Sequence, residues 1–89
     1  MPVLTIRVAA PADLSPRVRE ILEAEPTVSS LTVLPGASIR PAGDIYEADL
    51  PRESANELIE ELTAIGVQHE GTIQVTPVPT SISETGLKA

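Results

Sequence analysis

From Val3 to Val8, apolar and polar positions alternate: Leu4, Ile6 and Val8 fall on one side, and Val3, Thr5 and Arg7 on the other. A period of two residues marks a strand with one buried face, so the chain opens with a strand. The alternation breaks at Ala10-Pro11-Ala12-Asp13, after which Val18, Ile21 and Leu22 recur at helical spacing. Ser15 offers a hydroxyl for the N-cap, and Pro16 suits the first helical position, where a backbone N–H would lack a partner anyway. The spacing predicts a helix over residues 16–25. Pro26 ends it, having no N–H to give and disfavouring helical geometry in Glu25.

Residues 28–34 are uncharged and include the β-branched Val28, Thr32 and Val33, which predicts a second strand, although Ser29-Ser30 blurs its alternation. Pro35-Gly36 and Pro41-Ala42-Gly43-Asp44 bracket what reads as a ten-residue turn. Beyond it, Tyr46, Ala48 and Leu50 alternate with Ile45, Glu47 and Asp49 in a third strand. Over residues 51–65, Ala55, Leu58, Ile59, Leu62 and Ile65 line one helical stripe opposite Glu57, Glu60 and Glu61, and Gly66 supplies the stop. His69 then lies in a loop, and Ile73 and Val75 alternate with Thr72, Gln74 and Thr76 in a fourth strand that Pro77 and Pro79 end. Right-handed crossovers turn the order strand, helix, strand, strand, helix, strand into two helices on one face of a four-stranded antiparallel sheet, a ferredoxin-like α+β sandwich. The domain spans residues 2–79, and residues 80–89 read as a linker, since Ile82 and Leu87 there follow no pattern that joins a core.

Composition narrows the chemistry. Val, Leu and Ile are abundant enough in the 89 residues for a packed core, but a domain of this size buries only about 60–65% of its unfolded surface, so association would add to a thin margin. The absence of cysteine excludes disulfides, thiolate metal sites and a thiol nucleophile. Thirteen carboxylates against six bases give a net charge of −7, which repels phosphate backbones and anionic membranes. The one aromatic residue, Tyr46, falls on the inward side of its strand, so the open face of the sheet has no ring on which bases could stack. Nucleic acid is therefore not an expected partner.

The fold hosts metal carriers, amino-acid sensors, hydrolases and dimerisation modules alike, so individual side chains must decide. A metal carrier of this shape needs thiolates in the first loop, where Ala10, Pro11, Ala12 and Asp13 stand. His69 is the only histidine and has no second imidazole for a metal site or a dyad. None of the seven serines sits in a glycine-flanked elbow with an evident base. Glu53, Glu57, Glu60 and Glu61 could hold a hard cation, but a solvated helix face accounts for them as well. No catalytic residue, cofactor or metal ligand is assigned.

Two segments stand out. One is the turn over residues 35–44, whose Gly36, Arg40, Gly43 and Asp44 form a candidate ligand or anion loop; Arg40 would hold a carboxylate or phosphate, or pair with Asp44, Asp49 or Glu53. The other is the second strand. It lies at a sheet edge without charge or proline, which makes Val28, Ser30, Thr32 and Leu34 a candidate self-association edge for a homodimer.

The run Leu31-Thr32-Val33-Leu34-Pro35-Gly36-Ala37, then Pro41-Ala42-Gly43-Asp44, Asp49, Arg52-Glu53-Ser54-Ala55-Asn56-Glu57 and Gly71-Thr72-Ile73 resembles the amino-terminal region of a bacterial membrane-protein family, the hydrophobic-domain proteins called domain of unknown function 389. The resemblance covers residues 3–85 and brings no catalytic motif. It implies a non-catalytic accessory or regulatory domain on the cytoplasmic side of the membrane, followed by transmembrane segments of the same full-length chain and acting through self-association or contact with them. A second expectation, drawn from other domains of this shape, is a small-molecule sensor that holds a metabolite at a subunit interface near residues 35–44.

Overall fold

The computed structural model describes residues 3–78. Its elements are β1 (Val3–Pro11), α1 (Ser15–Ala24), β2 (Ser30–Ile39), β3 (Ala42–Pro51), α2 (Arg52–Ala64), α3 (Val67–Glu70) and β4 (Thr72–Pro77). The strands form one antiparallel sheet in the order β2-β3-β1-β4, which makes β1 and β3 central and leaves β2 and β4 as the edges. With its helices packed on one face, the domain is a ferredoxin-like sandwich.

The period-two reading fixes the core face. Across β1 and β3, Ile6 stands beside Ala48 and Val8 beside Tyr46; across β1 and β4, Ile6 meets Val75 and Val8 meets Ile73. Against this face α1 packs Val18 and Leu22, and α2 packs Ala55, Leu58 and Leu62, all of them buried. Fully burying each leucine in such a layer is worth about 1.5–3 kcal/mol over leaving it in water. The opposite face is solvated and mostly polar, as an antiparallel sheet permits. There the Thr5 hydroxyl donates to Asp49 Oδ1 at 2.6 Å across the β1–β3 ladder.

Several expectations need correction. The ten-residue turn does not exist as a loop: β2 continues to Ile39 and β3 begins at Ala42, so residues 35–44 are the arm of a hairpin that turns at Arg40-Pro41. Pro35-Gly36 interrupts the alternation because it is a bulge within the strand, not its end. Val28 precedes β2 and is half-buried against the core, which removes it from the strand edge. His69 lies in the single helical turn of α3 instead of a loop, where the neighbouring Val67 side chain is fully buried. Pro79 and the linker over residues 80–89 lie outside the described residues.

Candidate functional site

The hairpin arm meets the helical layer at one point, and the bulge explains how. The β2–β3 ladder runs from Ser30 opposite Asp49 to Leu34 opposite Ile45, and it resumes only at Ser38 opposite Gly43. Between these pairs, Pro35, Gly36 and Ala37 of β2 face the single residue Asp44. A strand with surplus residues leaves backbone groups without ladder partners. Gly36 turns its backbone to a positive φ of 64°, and its N–H donates to Asp44 Oδ1 at 2.7 Å. The carboxylate thus takes the place of the missing ladder bond.

The other carboxylate oxygen faces α1. Ser15 Oγ donates to Asp44 Oδ2 at 2.5 Å and lies 2.7 Å from Tyr46 Oη. A serine hydroxyl carries one hydrogen; with that hydrogen on the carboxylate, Tyr46 must be the donor to Ser15 Oγ. Tyr46 Oη also lies 3.3 Å from the Ser15 carbonyl oxygen. The result is a directed chain from the Tyr46 hydroxyl through Ser15 to Asp44, and on the far side of the carboxylate the Gly36 N–H.

This geometry overturns the N-cap assigned to Ser15. The cap position is Leu14, which makes no side-chain cap bond, and Ser15 is already helical and buried. Its hydroxyl accepts from the buried Tyr46 phenol and gives its one hydrogen to Asp44, so it caps no backbone group of α1. The first turn of α1 carries no acidic residue of its own, so Asp44 also supplies the negative charge that a helix N-terminus favours. The Ser15 hydroxyl, and behind it the Gly36 N–H, hold the Asp44 carboxyl below its ordinary value of 3.8, against a smaller opposing effect of desolvation.

Of the four loop candidates, the structure brings Gly36 and Asp44 into direct contact. Gly43 sits where β3 runs tight against β1: a Cβ there would overlap the Ala10 carbonyl oxygen, so only glycine lets the two strands approach at this point. Arg40 stands exposed at the hairpin tip and pairs with neither Asp44, Asp49 nor Glu53; the ion pairs among the described residues are Arg17–Glu20 and Arg19–Glu23, both on α1. Asp44 is committed to Ser15 and Gly36 instead. Beside the cluster lies an open depression of about 360 Å³, lined by Ala12, Ser15, Pro16, Arg19, Asp44 and Tyr46. Among the described residues, no group of three or more histidine, aspartate or glutamate side chains is placed to hold a metal ion, and no helix is long and apolar enough to cross a membrane.

The sequence reading missed Ser15 and Tyr46 as members of this site. A signal was present: the chain has one aromatic residue, and its inward position buries a hydroxyl that must be satisfied, which directs attention to the nearest polar residues on the facing helix.

The class that this architecture defines is the ferredoxin-like sandwich with a bulged β2–β3 hairpin arm. No protein-family model matches the chain, and no curated protein does. Among solved structures, CPII from Thiomonas intermedia K12, a nitrogen regulatory PII-like protein bound to ADP, AMP and bicarbonate, superposes with a TM-score of 0.72 at 16% identity, over 88% of this chain and 89% of that one. The apo form of CPII gives 0.71 at 17% identity, over 88% and 90%. A PII-like signalling protein from Thermus thermophilus gives 0.66 at 17% identity, over 88% and 87%. At these identities the likeness is one of fold.

Proposed function

We propose that this chain is a small-molecule-sensing regulatory domain whose ligand, an adenine nucleotide or a small anion such as bicarbonate, is held at a subunit interface against the β2–β3 hairpin arm. The observation that carries the reading is the likeness in fold, over nearly the whole chain, to a PII-like regulatory protein that binds ADP, AMP and bicarbonate. The local chemistry supports it. The arm ends in an exposed guanidinium, Arg40, in a chain of net charge −7, and a cation so placed is suited to phosphate or carboxylate. Sensing also needs a part that can move. Beyond the bulge the β2 half of the arm is held by two ladder pairs, Ser38 with Gly43 and Ile39 with Ala42, and by the Asp44 contact to Gly36, while Ala42 and Gly43 of the β3 half stay tied to β1 through the Ala12 N–H and the pairing of Gly43 with Pro11; the part free to move is the β2 half up to Arg40.

In this reading the domain acts by binding and not by catalysis. Its attachment to a membrane-embedded region rests on the sequence resemblance alone. Calorimetric titration and thermal melting with ADP, AMP and bicarbonate test the proposal. A ligand present at a hundred times its dissociation constant stabilises by about 2.7 kcal/mol, and Arg40→Ala should weaken whichever ligand binds. Unchanged melting with all three at millimolar concentration would sink the reading.

A further inference from the structure

We propose that the groove between α1 and α2, on the outer side of the helical layer, is a docking site for an amphipathic helix of a partner protein, apolar on one face and rich in lysine or arginine on the other. The first observation is the groove itself. It is an open trough of about 440 Å³, with Ile21 and Ala24 of α1 on one side and Ala64 and Ile65 of α2 on the other. Ile21 and Ile65 are half-buried and pack down onto the core, whereas Ala24 and Ala64 are exposed. The short alanine side chains keep the trough open, and its floor is apolar. Glu20 and Glu61 stand exposed beside it as banks.

The second observation is the shape of partner that the groove admits. Along α1 its wall runs from Arg17 through Ile21 to Ala24, which is two helical turns or about 10 Å. A guest helix sets apolar side chains at i and i+3 or i+4 within the same length, enough to fill the trough with two anchors. The walls are the sides of helices, which offer no free backbone N–H or C=O. An extended peptide would find no ladder to join there, whereas a helix arrives with its backbone already paired.

The third observation selects the partner's charge. On α1 the charges neutralise one another: Arg17 pairs with Glu20 at 3.3 Å and Arg19 with Glu23 at 3.4 Å. On α2 they do not. It carries Glu53, Glu57, Glu60 and Glu61 against the single Arg52, and none of these makes an ion pair among the described residues. Its last turn has no basic residue to offset the negative end of the helix dipole, which lies beside Ala64 and Ile65. Glu57 stands one turn from Glu61 on the same side of the helix, so the α2 bank is a negative rail along an apolar floor. The net charge of −7 draws a cationic partner toward that rail from a distance. It also sets other occupants aside, because a second copy, a nucleic acid and an anionic membrane all carry the sign that the rail repels.

The docking site is independent of the ligand reading, since it uses neither the arm nor a subunit interface. A fluorescently labelled synthetic peptide of about 15 residues, with leucines at i, i+3 and i+4 spacing and lysines elsewhere, is titrated with the 89-residue chain and followed by anisotropy. It should bind, and the same peptide with glutamate in place of lysine should not. Ala64→Gln and Ala24→Gln change no charge and put an amide into the trough at positions already exposed; each should weaken binding about tenfold with an unchanged circular dichroism spectrum. If one of them fails to fold, the other decides. Glu61→Gln should weaken binding about fivefold, and Glu47→Gln, which removes the same charge from the opposite face of the sheet, by less than about twofold. These contrasts separate docking in the groove from general attraction to an acidic chain. Unchanged affinity in a folded alanine variant, equal losses from Glu61→Gln and Glu47→Gln, binding of the glutamate peptide, or no binding of the lysine peptide at millimolar protein overturns the proposal. Nucleotide titration of Ala64→Gln is a separate measurement, so failure of docking and failure of the ligand reading are told apart.

Discussion

Removing single oxygens from the Tyr46–Ser15–Asp44 chain should produce unequal losses, because the two ends of the chain differ in access to water. Ser15 and Tyr46 are buried, at 5% and 3% exposure, whereas Asp44 is half-exposed. Ser15→Ala takes away the acceptor of the Tyr46 hydroxyl, which keeps only the Ser15 carbonyl at 3.3 Å, well beyond the usual O–H···O distance of about 2.7–2.8 Å. A buried donor left so poorly paired costs about 2 kcal/mol, while the Asp44 carboxylate recovers water. Tyr46→Phe strands nothing, since Ser15 Oγ still donates to Asp44, and should cost about 1 kcal/mol. In the double variant no hydroxyl remains to be orphaned, so the combined loss should be about 2 kcal/mol instead of 3, a coupling of about 1 kcal/mol. For a domain of this size, 1 kcal/mol moves the melting temperature by about 4–8 °C. Urea titration followed by circular dichroism is the assay of choice, because the chain has no tryptophan and Tyr46→Phe removes its only tyrosine. Equal losses for the two single variants, or strict additivity in the double, would refute the directed chain.

Acid should weaken the domain through Asp44. Its folded pKa lies below the ordinary value, so the stability it confers is fully present above about pH 4 and is lost as pH falls through the depressed folded value. Asp44→Asn should flatten the acid limb of a stability–pH profile, and an unchanged slope would show that the carboxylate is not a source of it. Gly43→Ala should destabilise by about 3 kcal/mol or more, because its Cβ meets the Ala10 backbone and no side chain is there to give way. Chemical denaturation measures this, and a loss under about 1 kcal/mol would mean that β1 and β3 can separate at that point.

What the chain declares about its fold, it declares by period. Leu4, Ile6 and Val8, and again Tyr46, Ala48 and Leu50, alternate so cleanly that the core face of the central strands could be read directly, as could the Leu58–Leu62 stripe of α2. Ala10 and Val67 escaped that reading. Ala10 opens the run Ala10-Pro11-Ala12-Asp13 that looks like a break, although β1 continues to Pro11, and Val67 is buried by a single helical turn too short to show a period. The hairpin arm escaped for a related reason. Proline and glycine at residues 35–36 are the same residue types that end strands, and one sequence cannot separate an end from a bulge, because the difference lies in whether the partner strand supplies a substitute acceptor.

Asp44 is that acceptor, and its position carries a consequence for how a signal at the arm would reach the helices. The carboxylate is shared between a backbone N–H on β2 and a hydroxyl on α1, two elements far apart in sequence, and no other described side chain joins the bulge to the helical layer by hydrogen bonds. A ligand that competes for Asp44, or for the Gly36 N–H it accepts, changes the start of α1 and the geometry of the arm together. Occupancy at the arm and the position of the start of α1 therefore share one structural element, and a ligand that binds one form of the bulge more tightly must shift the equilibrium between its forms by the same differential free energy.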